Sequence, residues 1–323
     1  MSKRPFRSKR QIMLSAVAKE TKEALPAILD QLPEIDAYKS SIHNLKDLPA
    51  LITNDAPGYP AFNVQVVNAD TLDTAISLSK EPVIATTASS SKARINAKER
   101  RVCILNLASE RSPGGGWLNG ALAQEESICY RSSLALSLHR KYYPFGNLDA
   151  IHTPDVVIIR DEYQTGHQLI DLQSRPVSDL DVVSVVSVAA LRSPPTTRKQ
   201  SILAGEIAER DSFANAEDRE LTKSKMRLTL RICALQGHSR IVLGAMGCGA
   251  FRNPAEDVAI CWREVLGEVE FVGWFERVVF AVLDKGSAGT NAGRGGKGNF
   301  DVFEMILGGV RFEGGGEGEM VGE

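Results

Sequence analysis

The sequence lacks any run of about 18 apolar residues, so no membrane-spanning helix is expected. Its basic start, MSKRPFRSKR, is followed by no apolar stretch, which argues against a secretory signal. Such a start reads as a nuclear address or a solvated terminus. No two of the five cysteines (Cys103, Cys129, Cys233, Cys248 and Cys261) stand at CxxC spacing, and most lie in apolar runs. The expectation is a reducing compartment, nuclear and/or cytoplasmic, with no structural disulfide and no cysteine-zinc site. Five histidines form no HExxH, and no GK[ST] ending marks a P-loop. Neither a metal nor a cofactor is expected. A formal net charge of -2 argues against electrostatically driven nucleic-acid binding. It leaves open a nucleotide substrate held by backbone amides.

What is present centres on Pro113 to Glu126, PGGGWLNGALAQEE. Three glycines precede, by seven residues, a Gln-Glu-Glu. Glycines let a backbone take positive φ and lie directly against a ligand. The carboxylates arrive where the pattern turns helical, at the rim of that backbone cradle. A mobile surface loop with an acidic first helical turn would produce the same local pattern.

Strand and helix signals alternate through most of the 323 residues. Residues 1–10 read as a disordered tail, and 11–60 as a helical extension packed on the main domain. Within it the spacing predicts a helix over 11–32 that Pro26 kinks or divides. A catalytic domain over 61–309 and a disordered tail over 310–323 follow. Strands are expected at 62–67, 102–107, 155–160, 181–190, 240–245 and 277–283. Helices are expected at 71–78, at 121–142 as one element, and at 216–236 with Gly237 as its stop. Residues 93–101 read as charged and helical or extended, 192–199 as loop, and 285–297 as a mobile glycine-rich stretch. Asn253-Pro254 reads as a helix start with Asn as cap. The fold class is α/β, a three-layer α/β/α sandwich on a mixed sheet with an N-terminal helical extension. Ligands in such sheets sit beyond the carboxyl ends of the strands, where both glycine turns fall.

The second turn, Gly247, Cys248, Gly249, Ala250 and Phe251, follows a strand and offers N–H groups suited to a diphosphate. A tight turn without a ligand is the plain alternative. Phe251 would pack on a sugar or in the core. Asp70, at a strand end, would accept from an adenine amino group or simply form a turn. Neighbouring helical side chains diverge by about 100°, so Glu125 and Glu126 cannot face each other across one bond. One must act as acid and then base while the other orients the sugar. Burial beside a diphosphate and a second carboxylate would raise the acid's pKa, against the helix dipole.

The spaced GGG and QEE resemble the signature of poly(ADP-ribose) glycohydrolases of the microbial type, which bacteria and fungi carry. GAMGCGAFRNP is similar to that family's diphosphate loop, with Met246 where tryptophan is expected, and Asn68-Ala-Asp70-Thr looks like the adenine-side motif of macrodomains. The resemblance runs from about Ile12 to about Phe303. It implies a macrodomain-like fold and hydrolysis of the ribose–ribose bond of poly(ADP-ribose), with ADP-ribose released from chain ends. Carried over by motif position, Glu126 is the general acid/base and Glu125 holds ribose hydroxyls. Gly114, Gly115 and Gly116 lie against ribose and diphosphate, Gln124 fixes the loop, and Asn106 supports the distal ribose. The implied partners are poly(ADP-ribose), ADP-ribose and ADP-ribosylated proteins, met by a monomer. Segments 191–216 and 285–298 stand out as longer than in compact bacterial members. A non-catalytic ADP-ribose-binding module and a mono-ADP-ribosyl hydrolase are the competing readings; the intact Glu125-Glu126 pair favours an enzyme.

Overall fold

The computed structural model describes residues 7–84, 86, 101–203, 206–284 and 298–315. Helix α1 (Lys9–Leu29) opens with Ser8, whose hydroxyl accepts from Gln11 N while Gln11 Oε1 accepts from Ser8 N. The helix therefore starts inside the stretch read as a disordered tail; residues 1–6 lie outside the described ones. Leu14, Ala18, Thr21, Leu25 and Ile28 form its buried stripe at helical spacing. Pro26 sits inside this helix without dividing it, because Leu25 and Ile28 on either side pack on Val157 and Ile159. Tertiary burial outweighs the local penalty.

Then follow β1 (Ser41–Asn44), β2 (Phe62–Asn63), β3 (Gln65–Val67), α2 (Thr71–Ser79) and β4 (Cys103–Leu107). Next come α3 (Gln124–Arg131), α4 (Leu134–Ser137), β5 (Asp149–Val157) and β6 (Val182–Val188). The chain continues through β7 (Thr196–Leu203), β8 (Glu206–Phe213), α5 (Ala216–Leu235) and β9 (Arg240–Leu243). It ends with α6 (Ala255–Leu266), β10 (Arg277–Ala281), α7 (Asn299–Leu307) and β11 (Arg311–Phe312).

Among the described residues the main sheet has seven strands in the order β1-β5-β6-β4-β9-β10-β3. From β6 to β3 all pairings are parallel, while β1 and β5 pair antiparallel at one side. Alternation along the strands builds two cores. Cys103, Leu105, Ile241, Leu243, Val278 and Phe280 face α5, α6 and α7. Ile104, Val242, Val279 and Ala281 face α1, α2 and α3. This is the three-layer mixed-sheet sandwich that the alternation of elements implies.

Several local expectations give way to tertiary pairing. The helix expected over 121–142 stops at Arg131. Ser132 turns extended and bridges Ile158, and Ser133 exchanges bonds of 3.0 Å with Val157, so the end of β5 takes the backbone groups a continuing helix would use. The strand expected over 62–67 divides at Val64, which pairs with the 309–310 backbone; β2 joins β11, and β3 joins the main sheet. Part of the stretch read as a C-terminal tail is thus strand β11, and 316–323 lie outside the described residues. The segment read as loop at 192–199 runs into a hairpin of β7 and β8, in register from Thr196↔Phe213 to Leu203↔Glu206. The segment read as a helical extension, 11–60, is α-helical to Leu29 and then contributes β1 to the main sheet. Asn253 is not a helix cap: α6 begins at Ala255, and the Asn253 amide donates instead to Leu191 O, Gly247 O and Phe251 O. The expectations for 93–100 and 285–297 fall outside the described residues.

Candidate active site

β4 ends at Leu107, and the chain then turns through Ser109 and the three glycines before α3 begins. Gln124 ties this turn to the sheet. Its amide donates to Leu105 O at 2.7 Å and Thr71 Oγ1 at 3.2 Å, and its carbonyl accepts from Leu107 N at 2.8 Å. The first turn of α3 is thereby clamped to the end of β4, and Glu125 and Glu126 are set beside the glycines.

The two acids have different surroundings. Glu126 Oε1 accepts from Gly116 N at 2.9 Å, and Oε2 reaches back to Ala123 N at 3.1 Å. Glu125, 3% exposed, accepts from Ser109 N at 2.7 Å through Oε2, while Oε1 is buried without a hydrogen-bond partner. Burial lifts the Glu125 pKa to about 8; the Ser109 N–H opposes this and the Glu126 charge adds to it. At neutral pH Glu125 therefore keeps its proton for most of the time. Asn106 is fully buried; its amide donates to Ser187 Oγ at 3.0 Å and its Oδ1 is also unpartnered. Two orphaned oxygens, Glu125 Oε1 and Asn106 Oδ1, are a need that ligand hydroxyls would satisfy.

Gly115 has φ +58°, and a Cβ there would collide with Glu126 Oε1 and stand 3.1 Å from Glu125 Oε2. The backbone thus lies directly on both carboxyl groups. Gly114 packs on the Trp117 ring and Cys129, and Gly116 on Ala121. Tyr130 pins the turn that follows, donating at 2.8 Å to Trp117 O and Ala121 O.

The second glycine turn follows β9. Gly247, at φ +76°, packs on Ala190 and the Asn253 amide. Around Gly249 the space is open within 4 Å. Among the described residues, the N–H groups of Gly249 and Ala250 have no acceptor. Ala250 is exposed. Met246 is fully buried in the core beneath, and burial pushes the Cys248 thiol up, so it is no nucleophile. Arg192 joins the two turns. It makes two bonds of 2.9 Å to Glu110 and lies 4.1 Å from the centre of the Phe251 ring.

Asp70 is placed further along α3. It caps α2, accepting from Leu72 N at 2.8 Å, and pairs with buried Arg131 at 2.5 Å. Burial raises its pKa against the pull of Arg131. Ser127 Oγ, 3.4 Å from Asp70 Oδ2, links it to the helix that carries the glutamates. Asp284 N, 2.9 Å from Asn68 Oδ1, connects the same strand end to a hollow of about 700 Å³ lined by Met13, Tyr163, Gln164, Gly166, His167 and Asp284. Neither glutamate lines that hollow; it lies beside the Asp70 end of the sheet. Glu125, Glu126, Gly114–Gly116, Gln124 and Asn106 are thus brought together, the second turn stands across from them, and Asp70 stands apart along the sheet edge. Sequence reasoning passed over Ser109, Arg131, Tyr143 and Arg192. Tyr143 has a buried hydroxyl without a partner, its pKa raised first by burial and then by Glu125. No spacing rule singles these residues out.

In class this is a macrodomain-like α/β/α sandwich with its acids at the carboxyl edge of the sheet. Residues 30–161, which include the first glycine turn and both glutamates, match the family described as microbial-type PARG, catalytic domain. No curated protein matches the chain. It is similar to the poly(ADP-ribose) glycohydrolase of Thermomonospora curvata at 24% identity, over 91% of this chain and 99% of that one, with a TM-score of 0.64. The same bacterial protein bound to the inhibitor ADP-HPD aligns with a TM-score of 0.63 at 24% identity, over 91% of this chain and 98% of that one. The Deinococcus radiodurans glycohydrolase in complex with ADP-ribose matches at 25% identity over 83% of this chain and 94% of that one, with a TM-score of 0.57. The segment that holds the acids is thus similar to the microbial-type poly(ADP-ribose) glycohydrolase catalytic domain, and the likeness in fold extends over most of the chain.

Proposed function

We propose that this protein hydrolyses the ribose–ribose O-glycosidic bond of poly(ADP-ribose) and releases ADP-ribose from chain ends, with Glu126 as acid and then base. The observation that carries this reading is the seat of Glu126: a carboxyl group laid on the glycine backbone, directly beside the buried, mostly protonated Glu125. The terminal unit places its distal ribose at the glutamates and its diphosphate on the free N–H groups of Gly249 and Ala250. Its adenosine points along the sheet edge toward Asp70 and the hollow by Asp284. The orphaned oxygens of Glu125 and Asn106 meet ribose hydroxyls.

As the C1″–O bond breaks, Glu126 gives its proton to the leaving 2′-oxygen of the next ribose. Positive charge develops on the terminal ribose as an oxocarbenium. Water then attacks C1″ and Glu126 takes a proton from it, so the products are ADP-ribose and a polymer shorter by one unit. Glu125, protonated, donates to a ribose hydroxyl. Release from ends follows from a terminal adenosine lodged between α1 and the 163–167 turn. A monomer acting on ADP-ribosylated proteins in the nucleus or cytoplasm fits the same reading.

The test is ADP-ribose release from automodified polymer. Glu126→Gln should lower turnover about 10²–10⁴-fold while ADP-ribose still binds. A wild-type protein that binds polymer without shortening it would be a binding module instead.

A further inference from the structure

Strand order places different chemistry on either side of the glutamates. Along the carboxyl edge, Asp70 follows β3, the second glycine turn follows β9, the first turn and the acids follow β4, and Arg192 follows β6. The β3 side holds the hollow. On the β6 side two cationic side chains, Arg192 and Arg111, contact one carboxylate, Glu110, and further cations lie on the adjoining chain. Arg192 binds Glu110 through two bonds, and Arg111 Nε lies 3.1 Å from it. Arg140 Nη1 donates to Arg111 O at 3.2 Å, with Lys141 next in the chain. Arg252, exposed and held at φ +56°, follows Phe251, on whose ring Arg192 is stacked. Glu110 balances only one of these charges, in a chain whose net charge is -2.

We propose that this rim is a second subsite, which binds the pyrophosphate of the polymer unit on the leaving side of the scissile bond. The proposal rests on the glycohydrolase reading. With the terminal adenosine toward β3 and the scissile bond at β4, the remaining polymer departs toward β6. Its first charged group beyond the cut ribose is a pyrophosphate. Guanidinium groups bind phosphates strongly, and Arg192, held by Glu110 through Nε and Nη2 and stacked on Phe251, has Nη1 left to donate. The other cations are exposed, so their grip weakens with salt.

The test uses the full chain carrying Arg140→Glu with Arg252→Glu. Two substrates are compared: polymer of several units, and ADP-ribose joined 1″→2′ to plain adenosine, which has no phosphate on the leaving side. The wild type should show the lower KM for polymer. In the variant, KM for polymer should rise about tenfold and its salt dependence should flatten. KM for the truncated substrate and affinity for ADP-ribose should stay unchanged. The milder pair Arg140→Gln with Arg252→Gln should move polymer KM in the same direction by less. Equal wild-type KM for the two substrates, or a polymer KM that neither variant moves, overturns the subsite and leaves the activity standing. Cleavage of neither substrate by the wild type overturns the activity, and the subsite with it.

Discussion

The two glycine turns look alike in sequence and differ in what fills the space beside them. At Gly115 the space belongs to the protein: the place a Cβ would take is occupied by the carboxyl oxygens of Glu126 and Glu125. At Gly249 it is empty, and the backbone N–H groups there have no acceptor among the described residues. The first turn is a frame that holds the two carboxyl groups, and the second is open. Each is pinned from behind by one amide side chain, Gln124 for the first and Asn253 for the second. Glycine is needed at Gly115 for internal packing, while at Gly249 no neighbouring atom demands it.

Substitutions separate these two uses. The largest effect is expected for Gly115→Ala, where the methyl group meets both carboxyls at a left-handed φ. Turnover should fall more than about 100-fold, with a stability loss of about 2–3 kcal/mol measured by urea unfolding. A variant with unaltered kinetics would remove the glutamates from the chemistry of the turn.

A further effect, of about 4 kcal/mol between pH 5 and pH 8.5, is expected in the pH dependence of stability. The folded Glu125 pKa of about 8 stands above that of an unfolded glutamate. The folded state therefore holds the proton longer. The stabilising contribution is fully present below the unfolded pKa, near 4.3, and is lost as pH rises through about 8. Glu125→Gln should abolish that fall and leave the variant relatively more stable at pH 8.5 than at pH 5. Parallel unfolding curves for wild type and variant at both pH values would show that Glu125 does not titrate there. Buried His152, depressed to about 3, and His238, depressed to about 4, act in the opposite sense, with stability lost as pH falls below about 6.5. The two effects thus occupy separate ranges.

The smallest stability effect is expected at Gly249→Ala, within about 0.5 kcal/mol, because the added methyl group meets nothing. Affinity for ADP-ribose, read by calorimetry, should nonetheless drop severalfold if the diphosphate rests on this turn as proposed. A large stability loss with full affinity would reverse the roles assigned to the two turns.

Much of this was legible in the residues. Both glycine turns, the acids between them and the strands leading to them are carried by contiguous runs such as VCILNL, PGGG and QEE. Helix α5 falls where Leu228 and Ile232 repeat, and it stops within a residue of the expected end. What misled was competition from distant backbone. Ser132 and Ser133 look helical until Val157 and Ile158 offer partners, and Asn253 looks like a helix cap until Leu191 and Gly247 take its amide. The β7–β8 hairpin was missed because Pro194 and Pro195 drew the reading toward loop, while β7 begins just after them.

The residues by themselves determined the alternation of elements, the spaced GGG and QEE, and the divergence of the adjacent glutamate side chains. Helical geometry, glycine's freedom and side-chain periodicity are local properties and travel with the residues. Tertiary structure alone decided that burial raises the Glu125 pKa, that Asp70 is held by Arg131, and that Arg192 joins the two turns through Glu110 and Phe251. Desolvation and pairing depend on which remote groups share a volume, and only the packed sheet brings those groups together.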